Sequence, residues 1–185
     1  MPVEILPIDA LHPQAQVIDA VARVIREGGL AVFPTESVYC MGSISRSGGS
    51  VSGGVERLFE LKRRGRGPSF PWLVSSVADL DVYGTNVTDE ARALAEAFWP
   101  GSLSIVVKAS AAVPRLLARQ DGTVALRVSA SPVVAALLQV AKAPLICSGA
   151  SVHGASAPVS FGQVSRRIVD AADIALDAGL GYEGE

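Results

Sequence analysis

Thr35, Glu36, Ser37 and Tyr39 set three hydroxyls and one carboxylate within five residues, directly after the apolar run Leu30-Ala31-Val32-Phe33 and Pro34. Groups of this kind can hydrogen-bond a polar ligand at the end of a buried strand, where α/β proteins tend to bind small molecules. Composition alone favours an ordinary polar loop. A second set is cationic: Lys62, Arg63, Arg64 and Arg66 surround Gly65. Cations at a helix end complement its dipole, but this run exceeds what a cap requires and is a candidate phosphate grip. Arg127 is the one charge in Thr-Val-Ala-Leu-Arg-Val. A guanidinium in a strand either reaches solvent or is paired, and facing inward it forks onto a carboxylate or phosphate. Two further polar loops, Trp99–Ser104 and Ser148–Gly154, each adjoin a predicted strand.

Other chemistries lack their signatures. There is no GxGxxG or GxxxxGK[ST] glycine loop, no HExxH or HxE metal pattern, and no CxxC pair joining Cys40 to Cys147. His12 and His153 read as solvated or capping histidines, and no catalytic residue is assigned. What remains is group transfer by positioning, with hydroxyls, amides and cations holding an anionic substrate.

The elements that must position these groups follow from apolar spacing. Val3–Leu6 predicts a short strand. Val17, Ile18, Val21, Val24 and Ile25 predict a helix ended by Gly28-Gly29, and Leu30–Phe33 a buried strand. Pairing is expected to stop at Pro34, and residues 43–54, rich in Ser and Gly, read as a flexible loop. A helix follows through Val55, Leu58 and Phe59, then a strand over Trp72–Val77. Thr88 is the expected N-cap of a helix to Phe98. Strands are expected at Leu103–Val107, Thr123–Val128, Pro144–Cys147 and Ile174–Asp177. Helices are expected at Ala112–Arg119, from Pro132 to Val140, and at Gln163–Ala171.

The 185 residues, 49% hydrophobic and with net charge −2, suit one α/β domain over residues 1–185 rather than a protein that coats nucleic acid through global charge. No apolar run approaches the roughly 18–20 residues of a membrane span. The start Met-Pro-Val-Glu lacks the features of a signal peptide, so the expected compartment is the cytoplasm, with no membrane partner.

Six blocks in order resemble the YrdC family. They are residues 30–39 (Leu-Ala-Val-Phe-Pro-Thr-Glu-Ser-Val-Tyr), 58–64 (Leu-Phe-Glu-Leu-Lys-Arg-Arg), 98–104 (Phe-Trp-Pro-Gly-Ser-Leu-Ser), 125–128, 144–148 and 173–179. The resemblance implies a YrdC-like α/β fold, a single-domain twisted mixed sheet with flanking helices and a concave basic cleft. It implies an L-threonylcarbamoyladenylate synthase, a nucleotidyltransferase that joins L-threonine, bicarbonate and ATP and releases pyrophosphate. The product feeds threonylcarbamoyladenosine modification of tRNA, with tRNA or tRNA-modification proteins as partners. By position, Thr35 and Arg127 would contact threonine or its carbamate. Lys62, Arg64, Arg66, Ser104, Ser148 and Ser151 would contact the nucleotide. Mg²⁺ would accompany ATP, held mainly by phosphate oxygens and water.

The departures from the family pattern cluster among polar positions. The usual Ser-Ala-Asn is Gly149-Ala150-Ser151, the Ser-Gly that follows is His153-Gly154, and the usual Gly after the tyrosine is Cys40. After K-x-R, Gly65 and Pro68 stand where Pro and Lys are usual, with Arg66 as a candidate substitute cation. These losses suggest an altered substrate. The alternative is a catalytically degenerate module that binds nucleotide or RNA through Lys62, Arg63, Arg64 and Arg66.

Overall fold

The computed structural model describes residues 3–44, 51–62 and 70–179. Among them, nine strands form one mixed sheet: β1 (Glu4–Pro7), β2 (Ala31–Pro34), β3 (Tyr39–Ile44), β4 (Trp72–Leu73), β5 (Gly84–Thr85), β6 (Ile105–Ala109), β7 (Thr123–Arg127), β8 (Leu145–Gly149) and β9 (Ile174–Asp177). Their spatial order is β1-β9-β2-β3-β8-β4-β7-β6-β5. β1, β9 and β2 run parallel, as do β4 and β7, while β2–β3, β3–β8, β8–β4, β7–β6 and β6–β5 are antiparallel.

Helices α1 (Ala15–Arg26), α2 (Gly53–Leu61), α3 (Asp79–Tyr83), α4 (Asp89–Phe98), α5 (Pro132–Ala141) and α6 (Arg166–Ala171) flank the sheet. Two cores result. On one face Val55 and Leu58 of α2, Ala95 of α4 and Ile168 of α6 pack on Val32, Met41, Leu126 and Ile146. On the other, α1 and α5 pack through Ile18, Val21, Ile25, Val133 and Leu137 on Ala31, Phe33, Cys40 and Cys147. The central strands are covered on both sides, which explains their near-continuous apolar sequence.

Several expectations are corrected. Pro34 still pairs, opposite Tyr39, and the chain turns straight back as β3. Ser43 and Ile44, expected in a flexible loop, lie in that strand, with Ser43 fully buried. The expected strand over Trp72–Val77 keeps only its first two residues, because the Asp79 carboxylate accepts the backbone N–H groups of Ser75 and Ser76 and starts α3. Residues 112–119 form turns rather than a helix, with Leu117 and Ala118 both bonded to the Pro114 carbonyl. The expected helix at 163–171 is two pieces, a 3₁₀ turn over Phe161–Gln163 and α6. Thr88 caps α4 as expected, its hydroxyl accepting from Ala91 N–H.

α2 sits against the end of α1 with no room to spare. Gly54 N–H donates to Gly28 O at 2.7 Å, and a Cβ on Gly54 would lie 2.4 Å from Gly29 O. Gly54→Ala is therefore expected to cost about 1–3 kcal/mol, seen as a lower urea midpoint. An unchanged midpoint would mean that α2 can shift freely.

Candidate functional site

β2 and β3 form a hairpin with Glu36 and Ser37 at its tip. Thr35 N–H donates to Val38 O at 3.0 Å, and the Thr35 hydroxyl donates to the same oxygen at 2.7 Å while accepting from the N–H groups of Ser37 and Val38. The Thr35 hydroxyl thus fixes the turn, and the residue is only 5% exposed. What the turn presents is the Glu36 carboxylate.

That carboxylate meets Arg127, which projects from the α1/α5 face of β7 because its neighbours Leu126 and Val128 point into the other core. Arg127 Nη2 lies 2.6 Å from Glu36 Oε1, with side-chain exposures of 17% and 12%. Arg127 Nε donates to Gly101 O at 2.9 Å, and Nη2 also reaches Ser37 Oγ at 3.4 Å. Nη1 has no hydrogen bond among the described residues, which leaves one edge of the fork for a further acceptor. Ser129 Oγ donates to Glu36 Oε2, and Ala130 N–H donates to Oε1 at 3.1 Å. Ser131 caps α5 through Val134 N–H, so the Glu36 charge also lies at the positive end of that helix.

Burial opposes the Glu36 charge, but the Ser129 hydroxyl, Arg127 and backbone N–H groups outweigh it and hold the carboxyl below its ordinary value. A depressed folded pKa gives stability that is present above the unfolded value, roughly 4.3, and lost as pH falls through the folded one. Acid unfolding below about pH 5 is accordingly expected to be steeper for the parent protein than for Glu36→Gln. Identical pH slopes would remove Glu36 from acid destabilisation.

A second polar group lies near the end of β8. Lys62, just past α2, is 7% exposed and donates from Nζ to Ser151 Oγ at 3.1 Å, while Ser151 Oγ donates to Ala155 O at 3.0 Å. Ser148 pairs with Met41 and shares the α2 face with Ile146, so it leaves the sheet opposite to Arg127. Ser104 is exposed just before β6, whose Ile105 pairs with Leu126. Arg64 and Arg66 lie outside the described residues. The structure therefore joins Thr35, Ser37, Glu36 and Arg127 in one network and Lys62 with Ser151 in another.

Glu36 and Gly101 were not singled out by the sequence as partners of Arg127, nor Ser129 and Ala130 as partners of Glu36. The available signal was Ser131-Pro132, a helix start whose exposed N–H groups call for an anion. A cavity of about 540 Å³ adjoins the first network through Ser129 and is also lined by Val74, Tyr83, Pro100, Leu138 and Lys142. That volume lies in the range of small-molecule sites.

The family Sua5_yciO_yrdC, described as Telomere recombination, matches residues 23–185. The threonylcarbamoyl-AMP synthase of Pyrococcus abyssi (strain GE5 / Orsay) is 32% identical over 158 residues, 85% of this chain and 45% of that protein. A putative threonylcarbamoyl-AMP synthase of Mycobacterium tuberculosis (strain ATCC 25618 / H37Rv) is 34% identical over 173 residues, 92% of this chain and 77% of that protein. The chain thus spans less than half the length of the first relative. The crystal structure of P. abyssi Sua5 complexed with L-threonine superposes with a TM-score of 0.86 at 29% identity, covering 96% of this chain and 51% of that one. Escherichia coli YciO superposes with a TM-score of 0.86 at 23% identity over 96% of this chain and 85% of that one, a likeness of fold.

Proposed function

The chain belongs to the Sua5, YciO and YrdC family, and from that premise we propose that it is an ATP-dependent synthase of the threonylcarbamoyladenylate type. Its substrates are L-threonine, bicarbonate and ATP, and its product serves tRNA modification in the cytoplasm. The observation that carries this reading is Arg127, held on two edges by Glu36 and Gly101 with Nη1 uncommitted, in a fold shared with a threonine-bound relative. A planar guanidinium so fixed suits a carboxylate ligand.

In the proposed reaction the threonine amine takes up bicarbonate with loss of water. An oxygen of the resulting carbamate attacks the α-phosphorus of ATP, and the bond to the β-phosphate breaks to release pyrophosphate. Arg127 holds the amino-acid carboxylate beside the Thr35–Ser37 turn. In this reading Lys62, Arg64 and Arg66, with Ser104, Ser148 and Ser151, would contact the nucleotide, and the cations would offset the repulsion between two anionic substrates. Mg²⁺ would accompany ATP, held mainly by phosphate oxygens and water, while Glu36 is tied to Arg127, Ser129 and Ala130.

Calorimetry with ATP, run with and without threonine and bicarbonate, tests the reading, together with release of pyrophosphate. Threonine-dependent pyrophosphate release supports it, and no ATP binding would sink it. A binding-only module is the second reading, favoured by Gly149 in place of the family's serine and Ser151 in place of its asparagine. It predicts ATP or RNA affinity without turnover.

A further inference from the structure

The cavity of about 540 Å³ beside Ser129 is separate from both polar networks, since Thr35, Glu36, Arg127 and Lys62 do not line it. It opens past the carboxyl ends of the parallel pair β4 and β7. Leu73 pairs with Arg127, and Val74 N–H continues the ladder onto Arg127 O at 2.9 Å before the chain leaves the sheet. β8 enters antiparallel on the other side of β4, with Leu145 opposite Leu73, so Ala143 and Pro144 close that wall. Crevices past the carboxyl ends of parallel strands are where open α/β sheets take ligands. The remaining walls come from α3, through Asp79 and Tyr83, and from the end of α5, through Leu138, Gln139 and Lys142.

Asp79 and Lys142 bring opposite charges to this cavity without neutralising each other, because neither forms an ion pair among the described residues. Asp79 Oδ2 accepts the N–H groups of Ser75 and Ser76 at 2.7 and 3.1 Å, while Oδ1 has no hydrogen bond among the described residues. Lys142 is exposed and ends α5 with a φ of 55°, a conformation usually left to Gly or Asn. Its charge complements the helix dipole but meets no carboxylate. The half-buried Tyr83 ring packs edge-on to Trp72, with centroids 5.5 Å apart, and its hydroxyl makes no hydrogen bond among the described residues. Burial, and then the Asp79 charge, raise the Tyr83 pKa, so the phenol stays a donor near neutral pH. Val74, Pro100, Val128 and Leu138 supply apolar wall between these groups.

We propose that this cavity is a second binding site, for a small zwitterion of the α-amino-acid class with a bulky apolar side chain. The ligand's ammonium meets Asp79 Oδ1, its carboxylate takes the Lys142 ammonium and the Tyr83 hydroxyl, and its side chain lies on Val74, Val128 and Leu138. A purely anionic ligand would face the Asp79 charge, and a purely cationic one would face Lys142. Only a ligand carrying both signs satisfies both groups. The volume lies in the range of small-molecule sites and admits one residue or two, so a free amino acid and a dipeptide offer the same chemistry. The site is independent of the synthase reading, with Ser129, which donates to Glu36, as the wall shared with that network.

Calorimetric titration of the full chain with L-phenylalanine and with L-leucyl-L-leucine tests the site. Saturable binding of at least one is expected, and the tighter of the two identifies the source. The N-acetylated and C-amidated forms of that probe, each lacking one charge, should bind about tenfold or more weakly, the loss of one charged hydrogen bond. Asp79→Asn keeps an oxygen for Ser75 and Ser76 N–H, and Lys142→Met alters an exposed side chain, so both should fold and each should show a similar loss. Glu36→Gln/Arg127→Met should bind as the parent does. No saturable binding of either probe at millimolar concentration, equal affinity for the blocked forms, unchanged affinity in both cavity variants, or a loss confined to the Arg127 double variant would overturn the proposal.

Discussion

Arg127→Ala is expected to lower the unfolding free energy by about 3–5 kcal/mol, the cost of removing one partner from a buried ion pair. Glu36 is 12% exposed and would keep its charge with only Ser129 and Ala130 as partners, while Gly101 O would lose its donor. Urea denaturation measures the loss. The double variant Glu36→Gln/Arg127→Met should recover most of it, since the amide oxygen still accepts from Ala130 N–H and the amide NH₂ can donate to the Ser129 hydroxyl, which turns to accept. If Arg127→Ala costs no more than a surface substitution, roughly 0.5 kcal/mol, the pair does not hold the hairpin tip to β7. In the synthase reading the same variant also loses threonine affinity, and the double variant separates the effects: stability returns and threonine binding does not.

Lys62→Met is expected to act on ligand binding. Its ammonium is buried and donates to Ser151 Oγ. Ser151 keeps its bond to Ala155 O. In the synthase reading ATP affinity should fall about ten- to a hundredfold, the loss of one charged hydrogen bond of roughly 1.5–3 kcal/mol. Calorimetric titration reads the effect. Unchanged ATP affinity would assign Lys62 to packing alone.

The sequence was most legible where one residue type does one job. Thr88 before Asp89 and Glu90 announces a helix start, and Leu30–Phe33 announces a buried strand. Arg127 stood out because a charge in an apolar strand must be paired or solvated. β3 was hidden because Tyr39–Ile44 is buried at every position, so it shows no alternation, and because Cys, Gly and Ser dominate it. Those small residues are required by close approach: a Cβ on Gly42 would lie 2.8 Å from Ile146 O. Pairing of Glu36 with Arg127 was illegible for another reason. It depends on a turn that brings residues 36 and 127 together, which no local spacing encodes. Lys62 and Ser151 meet likewise across a fold-level distance, between the end of α2 and the end of β8.

The strand order bears on how the chain reaches this state. β1 docks on β9, and β3 docks on β8, so the first strand waits for one of the last and the central hairpin waits for a strand formed a hundred residues on. Such non-local pairings close long loops before they are rewarded, so folding is expected to be slower than for a helical bundle of this length. During synthesis the β2–β3 hairpin emerges with an open edge and two apolar faces before β8 exists to cover them. That interval is when the nascent chain is most exposed to misassociation and most dependent on chaperones.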